Sequence, residues 1–163
     1  MPNDGDGDGD DGAGTRSDIG ASDGGADGSA SLEPIRVFRG DPSANYFDLT
    51  LEGQDLAAFE GVIVTVRVGE PFKTVTQRLG SGQTQVVGGT FSMHLPAVLE
   101  GGYKSKIVHF DVDRDGLCGA GDSVWVDEFL INMSVTLLVR PDARLTSPPL
   151  ATTCRIVNEW PSQ

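Results

Sequence analysis

The chemistry most legible in this chain lies in one run, Asp111-Val112-Asp113-Arg114-Asp115-Gly116-Leu117-Cys118-Gly119-Ala120-Gly121-Asp122. Acidic side chains fall at positions 1, 3, 5 and 12 of the run, and glycine falls at position 6, where a loop wrapping a cation must turn sharply. A turning loop can fold alternate carboxylates onto one hard ion, which a flat strand cannot do. Asp111, Asp113 and Asp115 are therefore the expected carboxylate ligands. Leu117 would add its backbone carbonyl, Gly119 would leave room for a water, and Asp122 would close the shell. The expected ion is Ca²⁺. Aspartate is shorter than the glutamate that usually closes such loops, so weaker or water-assisted closure is expected.

This spacing resembles the calcium loop of dockerin modules, itself similar to the EF-hand loop. The flanks differ from an EF-hand: Lys106 to Phe110 and Ser123 to Leu130 alternate as strands do, which predicts a strand-loop-strand site. Without a cation, three alternating aspartates would repel one another. The contrasting reading is a solvated acidic turn, since Asp and Gly are frequent in turns for their own reasons.

The elements that must position the loop also read as strands. Residues 34–39 open the series, Phe47, Leu49 and Leu51 give one buried face, and Val62, Val64, Val66 and Val68 give the strongest signal. Further strands are expected at 73–78, 84–87, 90–95, 103–110, 123–130, 134–140 and 153–157. Turns are expected at Gly80 to Gly82, Gly88-Gly89 and Gly101-Gly102, and prolines are expected near strand ends. Leu56 and Phe59 suggest a short loop or a single helical turn. With no amphipathic helix of ten or more residues in view, the expectation is an antiparallel β-sandwich of about eight to ten short strands.

Composition divides the chain. Residues 1–31 hold eight Asp, nine Gly and one basic residue, Arg16, and carry −7 of the total charge of −12. Such a segment cannot bury enough surface to offset its ordering entropy, so 1–31 is expected to be a disordered acidic tether and 32–163 the β-sandwich domain. No basic stripe points to nucleic acid, and no apolar run approaches the roughly 20 residues of a membrane span. Cys118 and Cys154 are the only cysteines, an even number suited to one disulfide. Met1 leads directly into Pro2-Asn3-Asp4. An acidic Gly/Ser-rich tether resembles the spacers that follow the lipidated cysteine of bacterial surface lipoproteins. A removed leader is therefore expected, with room for a lipid anchor ahead of the tether, and an extracytoplasmic location where Ca²⁺ is plentiful.

A longer resemblance covers about residues 35–140. Gly53, Leu56, Phe59, Gly61, Val64 and Val66, then Gly88 to Ser92, Leu95-Pro96, Leu99, Gly102-Tyr103, the acidic loop and Trp125 resemble a module repeated in bacterial extracytoplasmic proteins and lipoproteins. The resemblance implies a β-sandwich with an acidic loop between strands. Such modules often carry His just after the closing Asp, where this chain has Ser123.

Other chemistry is thinner. Two histidines, His94 and His109, limit sites built from imidazole. Met93, His94 and His109 could serve a copper-handling protein only if they converged, and alternation instead places Met93 in the core with His94 outside. His109 shares a strand face with Asp111 and could tune that carboxylate. No G-x-S-x-G elbow or ordered Ser/His/Asp set is present, so no enzymatic activity is expected. Glu52, Asp55 and Glu60 read as solvated loop charges. The expected function is that of an extracytoplasmic, calcium-binding structural or adhesion-type module. The alternative is a carbohydrate- or protein-binding module acting at a cell surface through loops near the metal, which an exposed Trp125 or Tyr103 beside the loop would favour.

Overall fold

The structure is a computed structural model and describes residues 31–38, 43–70 and 78–160. All but the last residue of the tether expected at 1–31, the end of the strand expected at 34–39 with the turn that follows it, and all but the last residue of the strand expected at 73–78 lie outside the described residues. Among those described are nine strands: β1 (Arg36–Val37), β2 (Tyr46–Gly53), β3 (Ile63–Gly69), β4 (Arg78–Gln85), β5 (Phe91–Glu100), β6 (Gly102–Asp111), β7 (Ser123–Ile131), β8 (Val135–Val139) and β9 (Leu145–Thr146). One 3-10 turn, Ala57–Phe59, precedes β3, and one helix, α1 (Ala151–Asn158), follows β9.

The strands form a β-sandwich. A larger sheet runs β1-β4-β3-β6-β7-β9 and a smaller one runs β5-β2-β8. All pairings are antiparallel except β2 with β8, which the sequence reading did not foresee. Period-2 alternation builds the core directly. Val64, Val66 and Val68 of β3, and Val108 and Phe110 of β6, face Leu49 and Leu51 of β2 across a dry interior.

Three local expectations are corrected. Gly80 and Gly82 lie within β4 and form no turn. A Cβ on Gly80 would sit 2.4 Å from Val98 Cγ2 and 3.0 Å from the Arg36 carbonyl, so glycine there admits close approach by β1 and β5. Pro96 lies inside β5, where the β2–β5 register shifts between Phe47 and Leu49 and Asp48 Oδ1 accepts a bond from the Ala97 amide at 2.7 Å. Residues 153–157 are helical. Their β-branched side chains suggested a strand, but Cys154, Val157 and Asn158 recur at helical spacing and all turn toward the outer face of the larger sheet.

That outer face explains why β6 is buried along almost its whole length. Its even residues, such as Val108, enter the sandwich core. Its odd residues, such as Ile107, pack with Val124, Val157 and Cys118 into a second, smaller cluster beneath α1.

Candidate metal centre

The β6–β7 register presents the two ends of the acidic loop side by side. Pairing runs from Gly102 opposite Ile131 to Phe110 opposite Ser123, so Asp111 and Asp122 are the residues just past the last rung. Both are buried, Asp111 at 4% exposure and Asp122 at 0%. Gly116, at loop position 6, has φ +77°, the left-handed conformation that this position requires of its glycine.

Carboxylate oxygens of Asp111, Asp113 and Asp122 lie within 4.8 Å of one another. Ligands about 2.3–2.6 Å from one calcium ion can stand up to roughly 5 Å apart, so this spacing fits a single hard cation. Asp122 is held on both oxygens. Oδ1 accepts from the Val112 amide (2.8 Å), and Oδ2 accepts from the Gly119 amide (2.9 Å) and lies 3.0 Å from His109 Nε2. Asp111 Oδ2 accepts from the Gly116 amide at 3.1 Å, but its Oδ1 is buried with no hydrogen-bond partner. A buried anionic oxygen left in this state costs free energy on the order of 1–3 kcal/mol or more, unless something positive meets it.

The charges respond accordingly. Burial pushes the Asp122 carboxyl up, but the His109 imidazole and the Gly119 and Val112 amides outweigh it and hold the group below its ordinary value. Asp113 moves the other way. Local desolvation, then the neighbouring carboxylates of Asp122, Asp115 and Asp111, raise it against the Asp115 amide. Crowded like charges of this kind are what a divalent cation would neutralise.

Of the residues expected to bind metal, three therefore converge. Asp115 stands apart from that group: its Oδ1 accepts from the Leu117 amide at 2.7 Å, closing a local turn. Leu117 has an exposed side chain, and its amide serves Asp115. His109 lies beneath Asp122 rather than tuning Asp111 as expected, because the cross-strand register carries it toward Val124.

Other residues fix the loop, and the sequence reading missed two of them. Cys118 is joined to Cys154 of α1 by a disulfide, the pair that the cysteine count suggested. The Asn158 side chain holds Cys118 twice: its Oδ1 accepts from the Cys118 amide (2.7 Å) and its Nδ2 donates to the Cys118 carbonyl (3.1 Å). Arg114 Nη2 donates to the Gly61 carbonyl at 3.1 Å, tying the loop to the turn before β3. Glu60, in that turn, is exposed as expected of a loop charge, and it also braces the hairpin by accepting from the Gly88 and Gly89 amides at 3.0 and 2.8 Å. Asn158 and Arg114 carried no motif, and only the three-dimensional proximity reveals them.

The remaining candidates stay apart. Met93 is buried in the core from the smaller sheet, while His94 lies exposed beside Thr50 Oγ1 at 3.0 Å. His109 points from the opposite, outer face of the larger sheet, so the convergence that copper handling requires is not formed. Trp125 is buried at 1% exposure. Tyr103 is exposed but sits at the far end of β6 from the loop. No family model, curated protein or solved structure matches the chain.

Proposed function

We propose that this chain is a non-enzymatic, extracytoplasmic β-sandwich module of structural or adhesion type, whose β6–β7 loop is ordered by Ca²⁺. The observation that carries this reading is the unpartnered, buried Oδ1 of Asp111, itself a member of the cluster of three carboxylates. Oxygen-only donors from a turning loop are the ligand set that suits calcium rather than a softer ion. The location is supported by the Cys118–Cys154 disulfide, because such bonds persist in oxidising compartments. Among the described residues no helix is long and apolar enough to cross a membrane. A lipid anchor ahead of the acidic tether would present the module at a surface.

The role of the ion is mechanical. It would neutralise Asp111, Asp113 and Asp122, and so fix the loop against α1 and the turn before β3. The test is thermal unfolding of the full chain in EGTA and in millimolar Ca²⁺, repeated on Asp111→Asn. A calcium-dependent rise in midpoint that Asp111→Asn loses is expected. Equal midpoints in EGTA and Ca²⁺ for the unaltered chain would reduce the loop to an acidic turn.

A further inference from the structure

A second set of donors meets at the root of the same loop, and it has a different chemical character. His109 Nε2 or Nδ1, Cys118 Sγ and a carboxylate oxygen of Asp122 lie within 4.8 Å of one another. All three residues are buried, at 1%, 6% and 0% exposure. Imidazole, thiolate and carboxylate are the donors Zn²⁺ uses. Its bond lengths of about 2.0–2.3 Å place neighbouring tetrahedral ligands roughly 3.3–3.7 Å apart. The 3.0 Å between His109 Nε2 and Asp122 Oδ2 needs only a small opening to reach that spacing. A fourth donor stands beside them, because the atom bonded to Cys118 Sγ is Cys154 Sγ.

We propose that reduction of the Cys118–Cys154 disulfide converts this corner into a tetrahedral Zn²⁺ site formed by His109, Cys118, Cys154 and Asp122. The site shares Asp122 with the oxygen cluster but does not rest on that cluster holding calcium. A thiol or phosphine reductant supplies two electrons, and with two protons the S–S bond becomes two thiols. Zinc binding then releases both thiol protons to solvent, while His109 offers a ring-nitrogen lone pair and Asp122 an oxygen.

The surroundings keep the four donors in place without the S–S bond. Asn158 grips the Cys118 backbone on both its amide and its carbonyl. Val157 anchors α1, which carries Cys154, in the apolar cluster with Ile107 and Val124. The amides of Val112 and Gly119 orient Asp122, the kind of outer-shell support that metal ligands ordinarily receive. Two thiolates make the reduced corner selective for a borderline-soft ion, whereas the oxidised corner offers one imidazole and carboxylate oxygens but no thiolate. Redox state thus decides whether Asp122 has two thiolates beside it to complete a zinc shell.

The test uses the full chain and Co²⁺ as a spectroscopic stand-in for Zn²⁺. In a phosphine reductant, one equivalent of Co²⁺ should give thiolate-to-cobalt charge-transfer absorption and tetrahedral d–d bands. One equivalent of Zn²⁺ should bleach them, and the oxidised chain should show neither. His109→Gln and Asp122→Asn should each weaken binding by more than about 100-fold, beyond the usual loss from an outer-shell partner. Cys154→Ser exposes the Cys118 thiol without any reductant and should keep a weaker thiolate band. Absence of the band from both the reduced chain and Cys154→Ser overturns the proposal. So does a band indifferent to His109→Gln, or a reduced chain that has lost its β-sheet circular dichroism. Calcium-dependent melting of the oxidised chain is a separate readout, so failure there leaves the zinc result to be judged by itself.

Discussion

Strands β6 and β7 bury charge on both faces of the larger sheet, and the two faces solve the problem differently. On the inner face Lys106 is fully buried, 2.7 Å from Asp127 directly across the strand pair, with its ammonium over the Trp125 and Phe129 rings at 4.7 and 4.9 Å. Arg144 adds a second cation over Trp125 and reaches Asp127 at 3.3 Å. Every charge there has an opposite charge or an aromatic face, and the one unmet group is the neutral Trp125 Nε1–H. On the outer face three carboxylates converge with a single imidazole near them, and the unmet groups include, besides the indole N–H of Trp160, a carboxylate oxygen of Asp111. The inner cluster is closed by its own residues. The outer one leaves a buried carboxylate oxygen unmet, and that asymmetry is what recommends it as a candidate cation site.

The largest expected effect tests what holds the outer face together. The disulfide joins residues separated by 36 positions, and removing such a cross-link costs about 4 kcal/mol in the chain-entropy treatment. Cys118→Ala/Cys154→Ala should lose that much in urea denaturation. A loss below about 1 kcal/mol would mean that the cross-link restricts the unfolded chain far less than its loop length implies.

Next comes the inner pair. Asp127→Ala strands a buried ammonium and should cost about 3 kcal/mol, whereas Lys106→Met, which removes the charge and keeps the volume, should be near neutral or stabilising. Burial pushes the Lys106 pKa down, although Asp127 opposes it. Between that lowered value and the ordinary 10.5, the unfolded chain binds more protons than the native one. The penalty from Lys106 is therefore present below the native pKa and is relieved as pH rises through it. Stability of the unaltered chain should gain on that of Lys106→Met as pH climbs toward 10.5. Equal slopes for the two proteins would contradict this account.

Calcium should act only on the outer face. At a hundredfold excess over its dissociation constant it should add about 2.7 kcal/mol, on the order of 10 °C in midpoint. In EGTA, Asp111→Asn should match or exceed the unaltered chain, because it removes one of three mutually repelling charges and the unpartnered anionic oxygen. In calcium the order should reverse. Asp113→Ala should lose most of the calcium gain, while Asp115→Ala, whose carboxylate serves a local turn, should keep most of it. Isothermal titration would rank the two, and a larger loss from Asp115→Ala would mean the loop rearranges on binding.

The sequence made much of this architecture legible, for a physical reason. Alternation in Val62 to Val68 and in Phe91 to Leu95 reports directly which side chains face the core, so the strands and the sandwich followed from period alone. The loop was legible because its carboxylates and Gly116 are close in sequence. What escaped depends on contacts distant in sequence. The helical 153–157 segment looks β-prone until Cys154 and Asn158 are seen gripping Cys118, some 40 residues earlier. The placement of His109 beneath Asp122, only 13 residues away, was hidden instead by the β6–β7 register, which no local pattern discloses, and with it the second donor set. Leu145 and Thr146 form too short a strand to carry any alternation.

The smallest expected effect asks how far the outer face communicates. Arg114, at φ +61°, spends its guanidinium on the Gly61 carbonyl, and Gln85 Nε2 donates to that same oxygen at 2.9 Å. The turn carrying Gly61 in turn braces the Gly88-Gly89 hairpin through Glu60. Arg114→Ala removes one exposed hydrogen bond, so about 0.5–1 kcal/mol is expected in EGTA. If ordering of the metal loop is passed to the hairpin through this tie, calcium should slow amide exchange at Gly88 and Gly89 in the unaltered chain and leave it unchanged in Arg114→Ala. Protection that persists in the variant would show that the hairpin is held by Glu60 alone, and the influence of the ion would then end at the loop it occupies.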